Sequence, residues 1–276
     1  MRHWASEAVL AVSLVMGCAG GVGAQVVSQA GPGGMTGDEI AARMLVRNAE
    51  RQSALEHYVG DRTYRVEYRG TGGSHWGSMA VHVDFANGQK DLTVVSEDGS
   101  KFICDKVLRK LVEGEQEASQ GANRMQTTLS PDNYDLQLVG EDTINGIPAW
   151  VLQVSPKVES KFTYRGRVWV SQEDYAMVRV LGEPAKNPSW WISRASFDWK
   201  YQRNGEFWLP ESNVAKSHVK IGGDATMTIE YGAYKILSAR AVQHRNGETT
   251  AAGLRNAGSG VSSRTEVLVS SRIPGQ

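Results

Sequence analysis

The sequence predicts a mainly β (α+β) fold built on a single, strongly curved antiparallel sheet. About ten segments between positions 62 and 237 alternate apolar and polar residues, the pattern of strands that bury one face. Asn-Gly pairs at positions 87, 145 and 204 lie between such segments, where they favour tight hairpin turns. One amphipathic helical segment precedes the strands, and its apolar face must pack against the sheet.

Residues 1–24 have the features of an export signal. Arg2 gives a positive end, Ala8 to Met16 form a short apolar run, and Val22-Gly23-Ala24 supplies a cleavage site before Gln25. A competing interpretation is that Val15-Met16-Gly17-Cys18 is a lipoprotein processing site, in which case Cys18 would carry a lipid tether. The sequence therefore predicts export to the periplasm, with membrane tethering through Cys18 as an open alternative.

Residues 25–37, with Gly31-Pro32-Gly33-Gly34, are predicted to form a flexible linker. Thr36 and Glu39 then have capping-box spacing, which predicts the start of a helix. We expect this helix to end at Gly60 and to present one apolar face, made of Ile40, Met44, Leu45, Ala49 and Leu55.

The strands predicted after this helix each bury alternate residues. Pro210 is expected to end the strand that starts at Phe207. The apolar positions, in chain order, are Tyr64, Val66 and Tyr68; Met79, Val81, Val83 and Phe85; Leu92 and Val94; Tyr134, Leu136 and Leu138; Trp150, Leu152 and Val154; Val168 and Val170; Phe197, Trp199 and Tyr201; Phe207 and Leu209; and Ala225, Met227, Ile229 and Tyr231.

Two further segments differ from this pattern. Val107, Leu108, Leu111 and Val112 predict a short inserted helix, and the polar stretch from Glu113 to Asn123 is expected to be mobile. Residues 241–276 are poor in large apolar side chains, which predicts a largely disordered tail. The folded domain is accordingly predicted to span residues 38–240.

Composition argues against several functions. Thirty basic residues balance thirty acidic ones, so nucleic acid is not an expected partner. The histidines are scattered and only two cysteines occur, so neither a metal site nor a cofactor is predicted. The carboxylate pairs Glu141-Asp142 and Glu173-Asp174 lie beside predicted turns, where acids ordinarily cap backbone N–H groups. Cys104 has strand-like neighbours and is expected in the core. The chain is therefore predicted not to be an enzyme.

The predicted sheet has more apolar surface than its helices can cover, which suggests an apolar ligand. Trp190-Trp191 lies in a loop between two strands, and one indole there could contact a membrane or a protein partner. The alternatives are that both indoles plug the end of the sheet and that the other candidates simply fill a closed core. The cavity candidates are Met79, Val81, Trp150, Leu152, Trp169, Trp199, Trp208 and Met227.

Several motifs resemble the outer-membrane lipoprotein-sorting proteins, the LolA/LolB-like superfamily. They are the segments 164–170 (YRGRVWV), 174–180 (DYAMVRV), 182–191 (GEPAKNPSWW) and 222–225 (GGDA), with Glu230-Tyr231 after them. The resemblance covers about residues 38–238. It implies an unclosed half-barrel with a helical lid over an apolar cavity. The Arg-Pro-x-x-Phe-x-Trp segment of the proteobacterial carriers has no counterpart near Val83 to Leu92.

The resemblance implies a non-catalytic periplasmic carrier. Its ligand would be acyl chains of a lipoprotein or a free lipid, moved from an inner-membrane donor to an outer-membrane acceptor. The alternative that the resemblance leaves open is an envelope-stress sensor or scaffold of the same fold that binds a protein partner.

Overall fold

A computed structural model describes residues 34–118, 128–160, 162–187, 192–220 and 222–242 of the chain. These residues form one helix at the start, α1 (Gly37–Ala54), and a second helix, residues 101–118, between strands. The second helix is α-helical over Lys101–Ile103, π-helical over Cys104–Leu108 and α-helical again over Arg109–Ala118. The strands are β1 (Leu55–Gly70), β2 (Gly73–Ala86), β3 (Gln89–Gly99), β4 (Tyr134–Ile144), β5 (Ile147–Pro156), β6 (Tyr164–Ser171), β7 (Met177–Pro184), β8 (Ile192–Asn204), β9 (Phe207–Val219) and β10 (Gly223–Ala239).

All ten strands belong to one antiparallel sheet, which confirms the predicted fold class. Their order is β3-β2-β1-β10-β9-β8-β7-β6-β5-β4. Strands that follow one another in the chain are neighbours in the sheet, except for β3 and β4, and β10 pairs with β1 over most of its length. Because β3 and β4 lie at opposite edges, the sheet is unclosed.

The Asn-Gly pairs form the hairpin turns that the sequence predicts. Asn87 and Gly88 have φ of 53° and 81°, and Asn145 and Gly146 have φ of 51° and 82°. Two successive residues with positive φ twist a two-residue turn in the sense that antiparallel strands require. At the third pair Asn204 is the last residue of β8, and Gly205, with φ of 64°, makes the turn.

The prediction that Pro210 ends its strand is wrong, because β9 continues to Val219. Pro210 pairs with Tyr201 at a register shift between Lys200 and Tyr201 of β8. At such an irregularity the ladder is interrupted, so the N–H that proline lacks is not needed.

The capping box of α1 is present as predicted. The Thr36 hydroxyl accepts a hydrogen bond from the Glu39 backbone N–H at 3.2 Å, and the Glu39 carboxylate accepts one from the Thr36 N–H at 2.8 Å. The helix does not continue to Gly60, however, but ends at Ala54. From Leu55 onward the chain pairs with β10, and this ladder replaces helical hydrogen bonds.

The second helix is longer than the sequence predicts at both ends. It begins at Lys101, where the Ser100 side chain caps it, and it continues through Ala118 into the stretch expected to be mobile. Cys104 is buried, as expected, but it lies in the π-helical turn and not in a strand. The apolar side of this helix faces the sheet and consists of Ile103, Cys104, Leu108, Leu111 and Val112.

Among the described residues, neither helix combines the length and the apolar character that crossing a bilayer requires.

Candidate functional site

Both helices cover the same face of the sheet, here called the inner face. One residue from each strand forms a continuous line across it, which we call the central row. Each member of the row is the register partner of the next. From β4 to β3 the members are Leu138, Leu152, Val168, Val180, Trp199, Asn213, Ile229, Tyr64, Met79 and Glu97. Apart from Asn213 and Glu97, the central row is a band of apolar and aromatic side chains.

α1 covers the half of the inner face formed by β4 to β8. Ile40 and Met44 of the helix pack with Leu152, Val168 and Val180 of the central row in one buried cluster, the first cluster. Each of these five side chains has 0% solvent exposure. Space large enough for a water molecule is therefore absent beside these five side chains, which pack tightly beneath α1.

The second helix covers the other half, formed by β10, β1, β2 and β3. Its Ile103 and Leu108 pack against Tyr64, Met79 and Ile229 in the second cluster. Partly buried side chains pack around this cluster as they do around the first, and they include Phe85, Val94, Val107 and Met227.

A glycine on β2 allows the second helix to approach the sheet closely. A Cβ atom at Gly77 would lie 2.8 Å from Cγ2 of Ile103 and 3.3 Å from Sγ of Cys104. The first distance is shorter than a van der Waals contact permits, so any larger residue would displace the helix or its side chains.

A buried ion pair joins the second helix to the inner face. Arg62 of β1 donates from Nη1 to Oε1 and Oε2 of Glu115, at 2.9 and 3.1 Å. The Tyr64 hydroxyl donates to Oε2 at 3.0 Å, and Lys90 Nζ donates to Oε1 at 3.3 Å. The Arg62 guanidinium also lies 5.3 Å from the ring centre of Tyr64 and 5.6 Å from that of Tyr231. The side chain of Arg62 is 3% exposed and that of Glu115 is 16% exposed.

The electrostatics of this pair favour both charged forms. Burial alone would raise the pKa of Glu115, but Arg62 and Lys90 outweigh burial and lower it to about 2. Burial alone would lower the pKa of Arg62, but the Glu115 carboxylate beside it raises that pKa above its ordinary value. The pKa of Tyr64 is raised, first by burial and then by Glu115. The group formed by Arg62, Lys90 and Glu115 therefore contains two cations and one carboxylate.

Neither Arg62 nor Glu115 is among the site residues that the sequence predicts. The signal for Arg62 was present, since the alternation of Tyr64 and Val66 extends two residues back and places Arg62 on the inner face. Glu115 carried no such signal, because its stretch is polar throughout and only the docked helix brings it to Arg62.

α1 is fixed at a different place, by the turn between β6 and β7. Arg51 donates from Nη2 to the Asp174 backbone oxygen and pairs with its carboxylate at 3.0 Å. The indole N–H of Trp208 donates to the same carboxylate at 2.8 Å. Arg43 donates to the hydroxyl of Tyr175, which adopts a left-handed φ of 56°. These contacts join the middle and the C-terminal end of α1 to the β6–β7 turn.

The structure does not bring all eight predicted cavity residues together. Trp150, Leu152 and Trp199 belong to the first cluster or pack against it. Met79, Val81 and Met227 do so in the second. All six lie on the inner face, where their ability to bind a ligand stays a prediction.

Trp169 and Trp208 lie on the outer face of the sheet. Trp169 is the register partner of Val151 and packs with it and Val178, whereas its neighbours Val168 and Val170 point inward. Strict alternation along a strand is the reason: a residue between two inward-facing valines faces outward. The indole N–H of Trp169 is satisfied there by Asp142, at 2.9 Å.

Other predicted features fall outside the described residues. These are the export signal, Cys18, nearly all of the linker and tail, and the Trp190-Trp191 pair. The contact role of that pair stays a prediction.

The carboxylate pairs have structural contacts. Asp142 accepts hydrogen bonds from Trp169 and from the Thr143 backbone, which together lower its pKa. Asp174 is occupied by Arg51 and Trp208 as described above. Within the part of the chain that the structure describes, no three His, Cys, Asp or Glu side chains are placed to hold a metal ion.

A separate groove of about 300 Å³ lies at the far ends of β8, β9 and β10. Its lining is polar and carries both signs of charge, and the His218–Asp224 pair within it is exposed. It shares no residue with the two clusters of the inner face, and its chemistry does not suit an acyl chain.

No protein-family model and no curated protein matches the chain. Solved structures of similar fold exist at low identity. A domain from Vibrio parahaemolyticus described as an outer membrane lipoprotein-sorting protein is 12% identical, with 76% of this chain and 94% of that one covered and a TM-score of 0.40. A DUF1329 family protein from Desulfovibrio piger is 14% identical, with 72% of this chain and 91% of that one covered and a TM-score of 0.36. A LolA superfamily protein from Nitrosomonas europaea is 10% identical, with 71% of this chain and 93% of that one covered and a TM-score of 0.33. These similarities concern the fold.

Proposed function

We propose that the protein is a non-catalytic periplasmic carrier that binds acyl chains of a lipoprotein or lipid on the inner face of its sheet. The observation that supports this most is the central row, which is apolar or aromatic on eight of the ten strands and which, in the described part of the chain, two helices cover. An acyl chain has no polar group to satisfy along its length, so such a band is a suitable surface for it.

We propose the second helix as the lid. α1 is joined at Arg43 and Arg51 to the β6–β7 turn. The second helix is joined to the inner face through the carboxylate of Glu115, a polar contact that a polar group of a ligand can replace. Moving the second helix uncovers Tyr64, Met79 and Ile229 of the central row.

Energetics decide how the ligand enters. Burying about ten methylene groups contributes about 8 kcal/mol. Exposing Ile103, Leu108, Leu111 and Val112 of the second helix to water would cost a similar amount, at about 2 kcal/mol for each side chain. A full displacement of the helix would therefore cancel the gain. We propose instead that the chain inserts between the helix and the central row, so that the helix keeps its apolar face covered.

A reversible lock tests this directly. In Gly77→Cys the new Cβ would lie 3.3 Å from Sγ of Cys104. That distance is close to the about 3 Å that disulfide geometry requires. We expect the oxidised variant to hold the second helix on β2 and to take up no fluorescent fatty acid, and we expect dithiothreitol to restore uptake to the level of the reduced protein.

The matched control is Gly77→Ala, which crowds Ile103 in the same way but cannot form a disulfide. It should take up the probe equally with and without dithiothreitol. Equal uptake by the oxidised and reduced forms of Gly77→Cys would show that the second helix is not the lid. Absence of uptake by the wild-type chain, together with no lipid in native mass spectrometry of the purified protein, would refute the carrier function.

Export and anchoring form a separate part of the proposal, since they depend on residues 1–24. An intact-mass measurement of the mature protein distinguishes a chain that starts at Gln25 from one with a lipid-modified Cys18. An inner-membrane donor and an outer-membrane acceptor are the partners expected of such a carrier.

A further inference from the structure

Arg62 is buried more deeply than its single carboxylate partner explains. Its Nη1 atom donates to Glu115, but its Nε and Nη2 atoms donate no hydrogen bond of normal geometry among the described residues. The guanidinium faces the rings of Tyr64 and Tyr231 on that side. A buried donor without an acceptor destabilises the folded protein, and the effect is larger for a charged group. Such a cost suggests that the guanidinium meets another acceptor in a different state of the protein.

The charge around Arg62 points to the nature of that acceptor. Lys90 shares the Glu115 carboxylate with Arg62, so two positive charges face one negative charge. The other titratable groups packed around the pair are the hydroxyls of Tyr58, Tyr64, Tyr231 and Tyr234, and burial raises the pKa of each, which keeps them neutral. The site therefore has an excess of positive charge and suits an anion.

The present partner of this cationic group belongs to the element that we propose as the lid. Glu115 reaches Arg62 only while the second helix is docked, and its carboxylate accepts from Arg62, Tyr64 and Lys90 together. When the helix moves, a buried guanidinium cannot remain without a counter-charge. A ligand that brings its own anionic group to Arg62 removes that penalty, and Glu115 moves into water.

We propose, on the basis of the carrier function above, that Glu115 occupies the site of the ligand's anionic group, and that the ligand is a single-chain amphiphile with a carboxylate or phosphate at its head. Arg62 and Tyr64 lie two residues apart on β1, and Tyr64 belongs to the central row. An anionic head at Arg62 therefore places the attached chain beside Tyr64, from which the central row runs past Ile229 and Asn213 toward Trp199.

The experiment compares ligands of one chain length and different heads. Binding of dodecanoate, dodecyl phosphate and dodecanol to the full mature chain is measured below their micelle-forming concentrations by displacement of a neutral fluorescent probe. We expect one or both anions to bind at least about tenfold more tightly than dodecanol, since hydrogen bonds to a charged group have that effect. The tighter of the two anions identifies a fatty acid or a phosphorylated lipid as the source of the head.

Variants test the roles of the residues without removing Arg62, whose loss could unfold the protein. Lys90→Met should reduce the difference in affinity between dodecanoate and dodecanol, because half of the positive charge is lost. Glu115→Gln should increase this difference in affinity, because the competing carboxylate is removed. Glu113→Gln, an exposed acid on the same helix, should leave it unchanged.

Two negative results are distinguishable. If dodecanol binds as tightly as both anions, the anionic subsite is refuted while the carrier function stands. If none of the three amphiphiles binds, the carrier function fails and the subsite fails with it.

Discussion

The Arg62–Glu115 pair makes a quantitative prediction about stability and pH. The pKa of Glu115 falls from an ordinary 4.5 to about 2 in the folded protein. A shift of that size corresponds to about 3 kcal/mol of folding free energy at neutral pH. Because the folded pKa is the lower one, this stabilisation is fully present above pH 4.5. It decreases as the pH falls and is lost once the pH is below about 2.

The perturbation is Glu115→Gln, which removes the titrating group. Between pH 7 and pH 3 the wild type should lose about 2 kcal/mol through this carboxyl group alone, as its folded and unfolded pKa values dictate. The variant should lack this contribution at every pH. At pH 7 it should also be less stable than the wild type by about 3–5 kcal/mol, because Arg62 is left buried without a counter-charge.

The assay is urea denaturation followed by far-UV circular dichroism at several pH values from 7 to 3. Urea is preferable to guanidinium because it leaves the ion pair unscreened. The informative quantity is the difference between wild type and variant, since other carboxylates titrate equally in both proteins. Glu113→Gln serves as the control and should follow the wild type. If the two stability curves run parallel across this range, Glu115 does not have the depressed pKa and the reasoning is wrong.

Two further predictions concern the other end of the inner face and the position of the ligand. Asp174→Asn should destabilise the protein by about 3 kcal/mol in thermal or urea unfolding, because it leaves the buried Arg51 without its charge partner. The control Glu173→Gln removes an exposed ion pair and should destabilise the protein by less than about 1 kcal/mol. An equal loss of stability in the two variants would contradict the proposed anchoring of α1. A fatty acid brominated at its terminal carbon should quench the fluorescence of Trp199 on the inner face. Trp199→Phe should therefore reduce the quenchable fluorescence, whereas Trp169→Phe on the outer face should not. The opposite result would show that the acyl chain does not lie on the inner face.

Local features of the fold could be predicted with confidence from the sequence because their causes are local. The capping box at Thr36 depends on residues three positions apart, and the turns at Asn87-Gly88 and Asn145-Gly146 depend on two residues that accept positive φ. The period-two alternation identified the inward-facing residues of most strands for the same reason.

The errors arose where a distant partner decides the outcome. The helix was expected to reach Gly60, but pairing of Leu55 with β10 ends it earlier. Pro210 was expected to end a strand, but the bulge beside it in β9 removes the conflict. Trp169 and Trp208 were grouped with the cavity candidates for their size, although alternation already placed Trp169 opposite to the valines beside it.

The large antiparallel sheet with one apolar face was predictable because alternation and turn chemistry act over a few residues at a time. Which elements cover that face, and where charge lies within it, depends on contacts between distant parts of the chain. Arg62 and Glu115 are fifty-three positions apart and belong to a strand and a helix. Their ion pair exists because folding excludes water around both, and the free energy of a buried charge depends on its final surroundings, which no local pattern encodes.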